Sequence, residues 1–138
     1  MSKIIDIEAN RNKKYIDNAV KRMQLINLDK NIFKNGKVIP VKYLVGLIFA
    51  ERLSSDIAEK ACLAMTDIDF CAIVNNSQVS LYTIKDNVNV GILASSLGGG
   101  GHKKAAGFTI PLNDAQWFNK NHFLAMFNSA ANIAIPTN

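Results

Sequence analysis

An unbroken run of four glycines, Gly98 to Gly101, constrains this chain more than any other feature of its sequence. Glycine has no side chain, so such a loop lets backbone N–H groups come close to a ligand and point at it together. His102, Lys103 and Lys104 follow at once, at a position that suits the beginning of a short helix. Backbone amides, a helix N-terminus and cations together suit an anion, above all a phosphate. A glycine run is also typical of a turn without a ligand.

The residues on either side of the glycines favour a loop held between packed elements. An apolar stretch at 90–97 has the spacing of a helix face, and Phe108-Thr109-Ile110 has the composition of a strand. Small residues at 105–107 allow close packing. A loop held in this way is rarely a flexible linker, which favours the ligand-binding interpretation.

Composition indicates one folded domain. The chain has 138 residues, 49% of them hydrophobic and 20% charged, which supports a packed core and argues against disorder. Acidic residues follow Met1 too soon for a signal peptide, and no apolar run approaches membrane-spanning length. Cys62 and Cys71 lie among apolar residues without metal-ligand spacing, so we expect buried free thiols in a reducing compartment. We therefore expect a cytoplasmic protein without a metal or other cofactor.

The net charge of +5 is concentrated near the N-terminus. Residues 1–42 hold ten Lys and Arg against four Asp and Glu, a net of +6, whereas the remainder has a net of −1. Such a segment is typical of a solvated helix face, and it also fits a surface that attracts polyanions such as short nucleic acids.

Apolar periodicity and turn residues predict an alternation of helices and strands. Asn35-Gly36 is a strong two-residue hairpin signal. The continuously apolar stretch 43–50 fits either a buried strand or a helix, and we favour the helix. We expect the other helices over 8–28, 54–65, 89–97 and 113–131, with Trp117, Phe118, Leu124, Phe127 and Ala131 in the core, and strands at 31–34, 37–39, 69–74, 78–84 and 108–110. The expected helix caps are Ser54 or Ser55, Asn87 or Asn89, and Asn113.

This order predicts an α/β or α+β fold, with a mixed sheet of about four to five strands, helices packed on it and an N-terminal helix before it. We expect a basic helix at 1–29, a nucleotide-binding domain at 30–132 and a frayed tail at 133–138. The glycine loop lies at a junction between elements, where such folds often place anionic ligands.

The segment from Gly98 to Gly107, with 89–97 before it and Phe108 after it, resembles the signature of the DHH-associated C-terminal domain. Gly-Gly-Gly-His followed by Ala-Ala-Gly is fairly specific, and the similar order of elements extends over about residues 30–130. That domain forms the second half of DHH-family phosphoesterases, among them oligoribonucleases, cyclic-dinucleotide phosphodiesterases and single-strand exonucleases. The resemblance implies a substrate clamp rather than a catalyst.

The resemblance also implies which residues contact the ligand. The glycine loop and its histidine hold the phosphate or base in the family. A nearby strand often supplies an arginine there, whereas this chain has Tyr82, which can stack on a base but cannot supply a bidentate charge. Lys85 can replace that charge from nearby, and Lys103 fits a ligand contact or a solvated lysine equally well. The candidate ligand-binding residues are Gly98, Gly99, Gly100, Gly101, His102, Lys103, Tyr82, Thr83 and Lys85.

The sequence departs from the family most at the catalytic half. The family cleaves phosphodiesters with a dimetal site built from aspartates and an Asp-His-His motif. Here the two histidines are His102 and His122, and no Asp-His pair occurs. Asp67 and Asp69 without histidines make a poor transition-metal cage, so we expect a structural or solvated role for them. We expect no catalytic residue and no metal site.

Three functions fit these residues. The favoured one is a stand-alone protein that binds a cyclic nucleotide, cyclic oligonucleotide or short oligoribonucleotide without cleaving it, as a phage-type sponge for a defence signal in the host cytoplasm. The others are a fragment or subunit of a split DHH-family phosphodiesterase and a single-stranded RNA-binding module. The start at Met1 favours an independent chain. One shallow loop leaves a ligand exposed, so we expect a homodimer or larger homo-oligomer.

Overall fold

The computed structural model describes residues 3–110, 121–123 and 133–134, and these form a mixed sheet with helices on both faces. The helices are α1 (Lys3–Lys21), α2 (Ser54–Ala64) and α3 (Val90–Ser95), and residues 121–123 are also helical. The strands are β1 (Gln24–Lys34), β2 (Lys37–Phe49), β3 (Phe70–Asn75), β4 (Gln78–Tyr82), β5 (Gly100–Gly101), β6 (Ala105–Thr109) and β7 (Ile133–Ala134).

The strands lie in the order β5-β6-β4-β3-β2-β1-β7. The pairs β2–β3 and β1–β7 are parallel, and the other neighbours are antiparallel. The predicted fold class, a mixed sheet preceded by an N-terminal helix, is confirmed. The described part of the sheet has seven strands, which is more than predicted.

The predicted hairpin turn at Asn35-Gly36 joins β1 to β2. Both residues have positive φ, 54° and 74°, which is the backbone conformation that Asn and Gly adopt most readily in two-residue turns. Lys34 pairs with Lys37 directly beside the turn, and the ladder continues to the pair of Gln24 with Leu47. The hairpin prediction is confirmed, and its strands are longer than predicted.

The predicted helix over 43–50 is wrong, because residues 43–49 form the second half of β2. That strand pairs with β1 on one side and β3 on the other, and both faces of the sheet are covered here. Val45 and Leu47 are buried on one face, and Ile48 is buried on the other. A strand buried on both faces loses the alternation that would have distinguished it from a helix.

The first helix ends at Lys21 rather than near residue 28, because the chain changes from helical to strand periodicity. Within β1, Ile26 and Leu28 are buried whereas Leu25 is 46% exposed, which is the period of two that a strand imposes. Met23 and Ile26 are three residues apart and so mimic one turn of helix in the sequence.

Two apolar layers hold the helices to the sheet. One face of the sheet packs against α3 and Phe123, and we call it the α3 face. The other packs against α1 and α2, and we call it the α1–α2 face. At the start of α2 the expected serine cap is wrong, because Leu53 occupies the cap position in a left-handed conformation without a side-chain cap. Asn89 does cap α3, since its side chain accepts a hydrogen bond from the Ile92 N–H at 3.1 Å.

Some of the remaining sequence predictions are confirmed, and others concern residues outside the described ranges. The strands expected at 69–74, 78–84 and 108–110 appear as β3, β4 and β6. Cys62 and Cys71 are buried free thiols, as predicted. No helix in the described ranges is both long enough and apolar enough to cross a bilayer. The expected cap and core residues that lie outside the described residues are Asn113, Trp117, Phe118, Leu124, Phe127 and Ala131. In the tail predicted to be frayed, Ile133–Ala134 pairs with β1, and residues 135–138 lie outside the described ranges.

Candidate functional site

The glycine run begins by ending α3. Gly98 has a φ of 85°, a left-handed conformation that commonly terminates a helix and that glycine adopts without strain. The N–H groups of Gly98 and Gly99 donate to the carbonyls of Ser95 and Ala94, at 3.1 and 2.9 Å. These two amides therefore close the helix.

Gly99 and Gly101 then allow two backbones to pack closely. A Cβ atom on Gly99 would overlap the carbonyl oxygen of Gly107, and one on Gly101 would overlap the backbone of Ala106. In contrast, a Cβ atom on Gly100 would meet no atom within 4 Å. Gly100 is thus the position in this pair of strands where a missing side chain leaves open space.

The helix expected to begin at His102 is wrong, because residues 100–109 form a hairpin of β5 and β6. The His102 N–H donates to the Ala105 carbonyl at 2.8 Å and closes the turn. The Lys103 carbonyl accepts from the Val90 N–H at 2.8 Å, and the Lys104 carbonyl accepts from the Thr83 N–H at 3.0 Å. The turn is therefore fastened to α3 and to the end of β4.

A cleft of about 370 Å³ lies on the α1–α2 face beside this hairpin. Its floor is formed by one row of paired residues, in which Gly100 faces Gly107 and Gly107 faces Ser80. One strand further along the row, Ser80 faces Ile73, which is buried in the layer beneath α2. Along this row the side chains become smaller, from that of Ile73 to the hydroxymethyl group of Ser80 and the single hydrogen atoms of Gly107 and Gly100. This change occurs where α2 no longer covers the sheet, and it leaves the cleft open. It is lined by Ser54, Ser55, Ala58, Ser80, Leu81, Tyr82, Gly100, Ala105, Ala106 and Gly107.

The start of α2 forms the opposite wall of the cleft. Ser54 and Ser55 line it, and their hydroxyl groups can donate to an acceptor on a ligand. Because Ser54 and Ser55 are the first residues of α2, the partial positive charge of its N-terminal end lies beside the cleft, and no side chain caps it. None of the described residues that line the cleft is charged. This site offers hydroxyl groups, backbone dipoles and the Tyr82 ring rather than paired cations.

The structure places two of the predicted site residues, Gly100 and Tyr82, in the cleft. Thr83 is 1% exposed, and its hydroxyl donates to the Asp69 carbonyl at 2.6 Å and accepts from the Lys85 N–H at 3.0 Å. The Lys85 ammonium lies 3.4 Å from the Asp69 carboxylate. Thr83 and Lys85 thus fix the link between β3 and the end of β4.

The other predicted residues lie on the hairpin outside the cleft lining. Gly98, Gly101, His102 and Lys103 are exposed to solvent, and Gly99, although exposed, lies against β6. Next to them, Lys104 pairs with Asp86 at 2.8 Å, and this hydrogen bond lowers the pKa of the Asp86 carboxyl. The cationic end of the hairpin and the cleft are therefore separate features of the same loop.

Sequence reasoning missed Ser54, Ser55, Ser80, Ala105 and Gly107. The sequence contained a local signal for Ser80, since Ser80 and Tyr82 are two residues apart on a predicted strand and so lie on the same face of the sheet. The pairing of Ser80 with Gly107 and of Gly107 with Gly100 depends on the register between three strands. No local pattern in the sequence specifies that register.

Asp69 has the structural role that its sequence context predicted. Its carboxylate accepts a hydrogen bond from the Leu44 N–H at 2.7 Å and pairs with Lys85. It therefore connects β2 to the start of β3. Among the described residues, no three His, Cys, Asp or Glu side chains are grouped closely enough to hold a metal ion.

Cys62 lies behind the cleft. Its Sγ donates weakly to the Tyr82 carbonyl, at 3.9 Å, and so links α2 to β4 beneath the cleft. Burial raises the pKa of the Cys62 thiol to about 11. The thiol is therefore protonated at neutral pH and acts as a packing group.

Comparison with known proteins places the cleft within a recognised domain. Residues 45–132 match the DHHA1 domain, and this range contains every residue that lines the cleft. The protein named oligoribonuclease NrnB of Bacillus subtilis (strain 168) is 35% identical over 71 residues, which are 50% of this chain and 18% of that protein. The chain thus spans a small part of this curated relative.

A crystal structure of an uncharacterized protein from Helicobacter pylori G27 has a similar fold. It superposes with a TM-score of 0.51 and 24% sequence identity, over 72% of this chain and 28% of that one. At this level of sequence identity, the likeness shows a shared fold and nothing further.

Proposed function

We propose, because this chain belongs to the DHHA1 domain family, that its cleft binds a small phosphorylated nucleotide and does not cleave it. The ligand class is a cyclic nucleotide, a cyclic oligonucleotide or a short oligoribonucleotide. The observation that carries the proposal is the open space above Gly100 in the cleft floor, opposite the serines at the start of α2.

The cleft has suitable dimensions and chemistry for such a ligand. Its volume of about 370 Å³ falls within the range of small-molecule sites. A phosphate oxygen beside Ser54 and Ser55 meets hydroxyl donors and the positive end of α2. The ring of Tyr82, on the same face, can stack on a base, and such stacking contributes about 1–3 kcal/mol.

The absence of cleavage is the second part of the proposal. Its support is the sequence, which has His102 and His122 as its two histidines and no Asp-His pair. A domain that holds a nucleotide without hydrolysing it removes that nucleotide from solution. We therefore propose sequestration, with a signalling nucleotide of a host defence system as the ligand.

A second function is favoured by the lengths of the relatives. The chain corresponds to 18% of oligoribonuclease NrnB and to 28% of the solved chain from Helicobacter pylori. It fits the substrate-binding part of a split phosphodiesterase, whose catalytic residues lie on another polypeptide. Addition of that polypeptide would then convert a bound nucleotide into shorter products.

A mass-balance assay distinguishes these functions. The full chain is mixed with mono-, di- and cyclic nucleotides and Mn²⁺, the mixture is filtered, and the retained nucleotide is released by denaturation and identified by chromatography. The proposal predicts that one nucleotide class is depleted from the filtrate and recovered intact. Conversion to linear or shorter products would overturn the non-catalytic part of the proposal.

The Gly100→Val variant assigns any binding to the cleft. Its side chain has open space to enter, so we expect a folded protein with a filled cleft. Thr109→Val is the matched control, since it places the same side chain on the neighbouring strand outside the cleft lining. Equal nucleotide retention by the two variants would remove the cleft from the binding site.

A further inference from the structure

The outward face of α1 carries a line of exposed cations. Arg11, Lys14 and Lys21 recur at helical spacing, and Arg22 follows directly after the helix; we call these four residues the cationic stripe. Asn18 fills the gap in the middle and is also exposed. At 1.5 Å per residue, the stripe runs for about 15 Å along the helix.

No acidic residue interrupts the stripe. Between residues 10 and 22 the one acid is Asp17, which lies towards α2 and pairs with Lys60 at 2.5 Å. The hydrogen bond from Lys60 lowers the pKa of the Asp17 carboxyl. The negative charge of Asp17 is therefore balanced by a lysine outside the stripe.

Arg52 connects the helix that carries the cationic stripe to the chain segment that enters the cleft wall. Both lie on the α1–α2 face of the sheet, and Arg52, which comes just before α2, contacts the middle of α1. Its guanidinium lies 4.3 Å from the centre of the Tyr15 ring and donates to the Asn12 side chain at 3.0 Å. Arg52 is two residues before Ser54, the first cleft residue of α2. The backbone between Arg52 and Ser54 therefore spans at most about 7 Å.

We infer that the cationic stripe binds the sugar-phosphate backbone of a single-stranded oligonucleotide whose end occupies the cleft. This inference rests on the proposed nucleotide-binding function of the cleft. It adds a second binding surface, formed by a helix that lies before the residues matching the DHHA1 domain. The expected ligand is therefore long enough to reach from the cleft to the cationic stripe.

The packing of α1 distinguishes a nucleic acid from a lipid surface. Helices that bind membranes insert an apolar face into the lipid. In α1 the apolar residues Ile16, Ala19 and Val20 pack against the sheet layer, with Ala19 fully buried. Between residues 10 and 22, where the side chains are described, the outward face has cations and an asparagine, which suits phosphates that remain in water.

The test measures affinity as a function of oligonucleotide length and salt. The probes are fluorescein-labelled diadenylate and an oligoadenylate of about twelve nucleotides, a length within the range that single-stranded binding sites cover. The variant Arg11→Gln/Lys14→Gln/Lys21→Gln removes three cations from the stripe. The control Lys13→Gln/Lys37→Gln/Lys42→Gln removes the same charge from exposed positions outside it. Thermal unfolding checks that both variants remain folded.

We expect the longer probe to bind at least about tenfold more tightly than diadenylate at low salt, and the stripe variant to lose this gain. Its plot of log affinity against log salt should flatten by about 2, since each contact to a single strand contributes about 0.7. Its affinity for diadenylate should stay unchanged. Equal losses in the stripe and control variants would overturn the inference, as would equally tight binding of anionic vesicles that displaces the oligoadenylate. Failure of the wild-type chain to retain diadenylate or any nucleotide of the mass-balance assay would instead contradict the proposed function of the cleft.

Discussion

Two adjacent glycines in the loop have opposite structural roles, so alanine at each position should have opposite effects. In Gly99→Ala the new methyl group meets the carbonyl oxygen of Gly107 and the backbone of Phe108, neither of which can rotate away. In Gly100→Ala the new methyl group enters open space on the cleft floor.

The expected magnitudes follow from these contacts. Forcing a methyl group into a packed backbone contact costs about 1–3 kcal/mol. The Gly100 backbone has no positive φ, so alanine is tolerated there and should stabilise the chain by about 0.5 kcal/mol through lower entropy of the unfolded state. Each kcal/mol corresponds to about 4 °C in the Tm of a domain of this size. The two variants should therefore differ in Tm by about 6–14 °C.

Urea unfolding and differential scanning calorimetry measure this difference, and diadenylate binding is measured on the same samples. Gly99→Ala should lose stability but bind diadenylate when folded, whereas Gly100→Ala should keep stability and bind less tightly. If both variants unfold with the same midpoint, then the assignment of Gly99 to packing and Gly100 to the cleft is refuted.

Three further substitutions test the surroundings of the cleft. Thr83→Val removes a buried hydroxyl that bonds at 2.6 Å to the Asp69 carbonyl, so urea unfolding should show a loss of about 1–3 kcal/mol; a stable variant with weaker diadenylate binding would make Thr83 a ligand residue. Phe70→Ala, at a fully buried ring in edge contact with Tyr43, should cost about 3–5 kcal/mol in the same assay, and a loss below 1 kcal/mol would contradict its core placement. Burial raises the pKa of the Cys62 thiol in the folded chain to about 11, above that of an unfolded thiol. The contribution of the thiol to stability is therefore complete below the pKa of the unfolded thiol, and it is lost as the pH rises from about 9 towards 11. The free energy of unfolding should fall over that range in the wild type and fall less in Cys62→Ala, whereas parallel pH profiles would reject the assignment.

The sequence predicts local structure well where one residue type imposes a conformation. Asn35-Gly36 specified the hairpin because both residues take positive φ there, and Asn89 specified the start of α3 because its side chain accepts an amide hydrogen bond. At 43–50 no such residue is present, and burial on both faces removed the periodicity that separates strand from helix. The strand preference there comes from pairing with β1 and β3, and both sets of partner residues lie outside the stretch itself.

The candidate site was predictable only in part for the same physical reason. Gly100 and Tyr82 were expected from the loop and from the family resemblance. The serines of α2 reach the cleft through packing of that helix on the sheet, and Gly107 reaches it through the register of β6 with β4 and β5. His102 and Lys103 were expected at a helix start, yet the hairpin turn directs them to solvent outside the cleft lining.

The most direct test of the cleft assignment is an NMR titration of the ¹⁵N-labelled full chain with diadenylate. If the cleft binds the nucleotide, the largest amide shifts occur at Ser54, Ser55, Gly100 and Gly107, and they saturate together while diadenylate remains intact. Shifts confined to the exposed turn at 102–104, with the cleft amides unchanged, would contradict the assignment of this cleft as the nucleotide site.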